Sequence, residues 1–107
     1  MIMSTVLAGA ALVAVQPDPT RAPREAFTAC IHRFVNEAVQ ARKAAAAFTS
    51  EFPQQCQAEE RAYREAMIRR DVAARISQAD AEQGANEEIE WARQNGRENF
   101  EGSDRPS

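Results

Sequence analysis

The sequence predicts an all-α fold: an antiparallel helical hairpin closed by one disulfide, with a long extended return helix. Three observations predict it. Only 4 of 107 residues are glycine and 5 are proline, while Ala, Glu, Gln and Arg abound; those side chains lose little rotamer freedom in a helix. No β-branched run with period-two alternation follows Val15, so nothing signals a strand. Two cysteines, Cys30 and Cys56, lie at equal distances on either side of Lys43.

Residues 1–16 read as a signal peptide. The first 15 carry no charged side chain. As a helix they would span about 22 Å, short of a ~30 Å hydrocarbon core but suited to the apolar region of an export signal. Residues 17–23 contain three prolines and read as a linker. The expected location is therefore periplasmic or secreted, with membrane association only through an uncleaved N-terminus.

Residues 24–96 are expected to form the hairpin domain. Phe27, Ile31, Phe34, Ala38 and Ala41 recur at spacings of 4 and 3, one apolar stripe on a first helix. Phe52, Cys56, Tyr63 and Met67 share a face of a second helical run. Disulfide partners need Cα atoms about 5.5 Å apart. A reversal near Lys43 brings Cys30 and Cys56 level, whereas one near Ser50 leaves them about 21 Å out of register. The turn is placed at 41–45, with Pro53 kinking the start of the return helix. That helix is expected to run to about residue 95, Gly96 acting as its stop, and 97–107 to be a disordered acidic tail. For an exported chain, two cysteines read as one structural bridge; a loop of this size stabilises by roughly 3–4 kcal/mol when closed.

The net charge is −3, distributed unevenly. Residues 17–79 carry ten Arg and Lys against eight Asp and Glu, and residues 80–107 three against eight. A nucleic-acid binder would show a basic excess, so no nucleic acid is expected as a partner. His32, the sole histidine, forms Cys-x-His with Cys30, but a disulfide would consume the thiolates that a metal needs. Neither metal nor cofactor is expected. Carboxylates mostly stand three or four places from an arginine, as in Glu60 with Arg64 and Glu90 with Arg93, the pairing of a solvated helix. No motif places a serine or acid beside His32, so the chain is not read as an enzyme. Arg61, Arg64, Arg69, Arg70 and Arg75 are diluted by Glu65 and Asp71 and read as plain surface.

Ile68, Val72, Ile76 and Ala79 form a second apolar stripe on the opposite side of the return helix from Tyr63 and Met67. A first helix ending near residue 41 would cover its partner only to about residue 62. The stripe is thus the expected contact with another helix. The reading is a small exported, non-enzymatic protein–protein interaction module, binding itself or another helical envelope protein. The alternative is a periplasmic holdase that presents apolar helical surface. In shape the hairpin resembles small periplasmic hairpin chaperones, but their Leu-Thr-x-x-Gln signature is absent, so no residue inherits a role.

Overall fold

The computed structural model describes residues 17–103. The expected signal peptide and the last four residues of the tail lie outside the described residues. Among the described residues the chain is helical throughout, with no strand: α1 (Arg21–Gln40), α2 (Ala45–Glu51), a 3₁₀ turn (Phe52–Gln54), α3 (Gln57–Ala73) and α4 (Gln78–Ser103).

The start of α1 is fixed by Asp18, whose Oδ1 accepts the Thr20 backbone N–H at 2.9 Å and the Thr20 hydroxyl at 2.7 Å. Those two bonds, the backbone one foremost, hold the Asp18 carboxyl below its ordinary value. With this turn in place the helix begins at Arg21 rather than 24, and Pro23 sits in the first turn, where a missing N–H costs nothing. Residues 21–23 are therefore helix and not linker.

α1 ends in a Schellman cap. Lys43 N–H bonds Ala38 O at 2.9 Å and Arg42 N–H bonds Val39 O at 3.1 Å, with Arg42 left-handed at φ 53°. The chain then descends through α2 and the 3₁₀ turn. Seven α-helical and three 3₁₀ residues drop about 16 Å, close to the ~15 Å that ten residues of α1 span between Cys30 and Gln40. Cys30 and Cys56 meet as a disulfide with Cα atoms 5.9 Å apart. Pro53 is absorbed by the 3₁₀ turn, and α3 restarts from Cys56, which is left-handed at φ 63°.

Contacts between α1 and α3 run in opposite order along the two helices. Thr20 meets Arg70, Phe27 meets Tyr63 and Cys30 meets Cys56. Because α1 starts early, it reaches as far as residue 70 of α3, beyond the expected limit of 62.

The long return helix is corrected. α3 stops at Ala73 and the chain reverses a second time, so the described residues form three packed long helices rather than a hairpin with an outrunning arm. The stop is another Schellman cap: Ile76 N–H bonds Asp71 O and Arg75 N–H bonds Val72 O, both at 3.0 Å. Arg75 takes the left-handed position at φ 70°, which glycine ordinarily fills. Ser77 then starts α4, its Oγ accepting the Asp80 N–H at 3.1 Å. Arg75→Gly removes the Cβ penalty of that backbone; it should stabilise the fold by up to about 1 kcal/mol, raising the denaturation midpoint without changing the slope.

α4 lies against both neighbours and completes the core. Ala81, Ala85, Ile89, Gly96 and Phe100 are buried along it, joining Phe27, Ile31, Val35, Phe48, Phe52, Tyr63 and Met67. Phe100 stacks on Phe48 with ring centroids 4.0 Å apart, and Phe48 on Phe52 at 4.9 Å. Residues 97–103 are thus helix, not disordered tail. Burying a phenylalanine is worth roughly 1.5–3 kcal/mol, which outweighs the acidic character of the segment.

Gly96 is no stop signal. It is buried in mid-helix, where a Cβ would fall 2.8 Å from Phe52 Cζ and 2.9 Å from Ile31 Cγ2. Its absent side chain lets α4 approach α1 closely. Gly96→Ala gains helix propensity of about 1 kcal/mol but overpacks by typically 1–3 kcal/mol. Net destabilisation is expected, seen as a lower melting temperature.

Candidate functional site

The predicted interaction stripe does not survive as one face. Ile68 is half-buried and packs against the core. Val72 lies in the last turn of α3, Ile76 in the reversal that follows, and Ala79 near the start of α4. A stripe drawn on one continuous helix is broken by the cap at residues 74–76. Val72 at 43% and Ile76 at 41% exposure remain as apolar surface at this end of the bundle.

The arginines are dispersed. Arg64 reaches Glu60 at 3.5 Å and bonds Asn86, while Arg70 pairs with Asp71 at 3.1 Å and donates to the Thr20 hydroxyl at 3.3 Å. Glu90 pairs with Arg97 rather than the expected Arg93.

Arg93 is instead the buried cation of the fold, 6% exposed. Its Nε donates to Glu60 Oε1 at 2.9 Å, and its two terminal nitrogens to Phe52 O at 3.2 Å and Gln55 O at 2.8 Å. The guanidinium stands 5.3 Å from the ring centroids of both Phe27 and Phe52. All three nitrogens of the guanidinium donate, and the partners hold the 3₁₀ turn against α3 and α4. This is a structural clamp rather than a reactive group. Tyr63, also buried, has its phenol pushed up by desolvation, with Glu88 adding to the effect.

What sequence reasoning missed is the groove between α1 and α4. Its floor is Ile31, Val35, Val39, Ala92 and Gly96; its accessible walls are Thr28, His32 and Asn36 from α1, and Trp91, Asn95, Asn99 and Ser103 from α4. Each wall is an i, i+4 row, so each lies on one helix face. The two rows border the same groove, with α1 and α4 running in the same direction, Phe27 level with Arg93 and Ile31 with Gly96. The groove holds two half-open concavities, one of about 330 Å³ beside Asn36 and Asn99 and one of about 80 Å³ beside Trp91.

None of these twelve lining residues is Asp, Glu, Lys or Arg, in a sequence that is 27% charged. Trp91, the only tryptophan, is 67% exposed. The signal was present in the sequence as Trp91-x₃-Asn95-x₃-Asn99, uncharged positions recurring within a strongly acidic segment.

His32 is exposed and lines this groove. Among the described residues no group of three or more His, Cys, Asp or Glu is placed to hold a metal ion. The Ser103 hydroxyl donates to the Asn99 and Phe100 carbonyls at 2.7 and 3.0 Å, and the walls offer an aromatic face with hydrogen-bonding amides and hydroxyls. No family of known proteins, no curated protein and no solved structure matches this chain.

Proposed function

We propose that this chain is a small exported, non-enzymatic interaction module whose working surface is the groove between α1 and α4. The observation that carries the reading is Trp91, two-thirds exposed on a strip free of formal charge. Solvent-facing aromatic side chains where charge is depleted are the composition of recognition surfaces. Export is supported by the Cys30–Cys56 bond, since such bonds persist in oxidising compartments. Among the described residues no helix is long and apolar enough to cross a membrane.

Val72 and Ile76, at the end where α3 turns into α4, remain the surface proposed for contact with a protein, either a second copy or another helical envelope protein. The holdase alternative has less support. It calls for a continuous apolar surface, whereas the exposed large apolar side chains among the described residues are Val72, Ile76 and Trp91.

Capture from a native envelope fraction tests the reading with three baits: the wild-type protein, Trp91→Ala and Val72→Glu. Trp91→Ala is expected to lose captured material by roughly tenfold, equivalent to about 1.4 kcal/mol, at unchanged far-UV helicity. Val72→Glu should lose only protein partners and any self-association seen by light scattering, because burying its charge is strongly unfavourable. Identical capture by all three baits would refute the interaction reading.

A further inference from the structure

We propose that the groove between α1 and α4 binds a neutral oligosaccharide chain. This rests on the groove being the working surface and adds the chemistry of its occupant. The accessible walls decide that chemistry. The apolar floor is largely covered, Ile31 being 3% and Val35 4% exposed. A ligand therefore meets the Trp91 ring and the polar groups of Thr28, His32, Asn36, Asn95 and Asn99.

A carboxamide donates and accepts at once, which suits the vicinal hydroxyls of a sugar. The indole face suits the axial C–H groups on the flat side of a pyranose ring. Successive positions of each wall row are about 6 Å apart along the helix axis, close to the length of one pyranose unit. Without Asp, Glu, Lys or Arg in the lining, the groove offers no ion-pair partner to an anionic or cationic polymer, and a neutral chain forgoes no such pairing.

Size argues against a folded protein as the occupant. The strip from Trp91 to Ser103 is about 18 Å long, on two helices whose axes lie 8–10 Å apart in packings of this kind. It presents on the order of a few hundred Å², below the ~800 Å² per partner of a stable protein interface. A narrow, extended chain of three or four sugar units fits that footprint.

The test uses the oxidised full chain. Chitotetraose, cellotetraose and maltotetraose are added while the emission of the single tryptophan is followed. At least one is expected to shift the emission to the blue saturably, with a dissociation constant between about 10 μM and 1 mM. The affinity should be unchanged by added salt, because no charge pair is screened.

By calorimetry, Trp91→Ala should weaken binding at least tenfold, and Asn95→Ala and Asn99→Ala several-fold, with helicity preserved. Absence of any shift with all three sugars up to about 10 mM, or equal binding by Trp91→Ala, would overturn the proposal. So would a blue shift produced by raising protein concentration alone, which would assign the groove to a second copy. That last outcome leaves the interaction module standing, whereas unchanged envelope capture by Trp91→Ala removes the groove reading itself.

Discussion

Arg93→Ala is expected to destabilise the fold by on the order of 3–5 kcal/mol, the scale for removing one partner of a buried ionic cluster. The reason is what the substitution leaves behind. The carbonyl oxygens of Phe52 and Gln55 lose donors at 3.2 and 2.8 Å, and Glu60 loses its closest cation. The space between the rings of Phe27 and Phe52 also empties. Small domains have only about 5–15 kcal/mol of net stability, so this loss takes a large share of it.

Two companions separate the contributions. Arg93→Met restores volume but no donors, and should recover only the cavity part. Arg93→Lys keeps the charge but cannot present the planar fork to two carbonyls and a carboxylate at once. It should therefore remain well short of wild type. Urea denaturation followed by circular dichroism gives the differences. A loss below about 1 kcal/mol for Arg93→Ala would show that the clamp is dispensable.

The second large effect is expected at the disulfide. Cys56→Ser should lower stability by roughly 3 kcal/mol, since closure of the loop no longer restricts the unfolded chain. For a domain of this size that corresponds to a fall in melting temperature on the order of 15 °C. Adding reductant to the wild type should reproduce the loss.

Cys56 also occupies the left-handed backbone at φ 63°. Serine there keeps the strain without the bond. A Cys30→Ser, Cys56→Gly double variant should therefore be more stable than Cys30→Ser, Cys56→Ser by up to about 1 kcal/mol. Equal melting of reduced and oxidised wild type would show that the bond contributes nothing beyond the packing around it.

Stability and binding fall on different residues. Arg93 and Cys56 act on the bundle as a whole, whereas Trp91, Asn95 and Asn99 lie on its surface or half-buried at its edge. Loss of binding at unchanged melting temperature would locate function in the groove. Loss of both together would locate it only in the fold.

The sequence by itself determined the helical class, because propensity and 3.6-residue periodicity act locally and need no knowledge of what packs against what. Of the stripe Phe27, Ile31, Phe34, Ala38 and Ala41, the structure buries Phe27, Ile31 and Ala38, half-buries Phe34 and leaves Ala41 exposed at the helix end, while Phe52, Cys56, Tyr63 and Met67 are all buried. The cysteine pair was legible too, since helical rise converts sequence distance into length. Only the tertiary structure decided the second reversal. Arg75 holds a left-handed position where sequence rules look for glycine, so the stop after α3 carried no residue signature. Gly96 carried the opposite error: a residue that punctuates in isolation is here the point of closest helix approach. Ala81, Ala85 and Gly96 supply burial through proximity rather than bulk, which hydropathy scarcely registers. Arg93 reads as an exposed cation until three elements converge on it, and the groove beside Trp91 exists only once α4 folds back alongside α1.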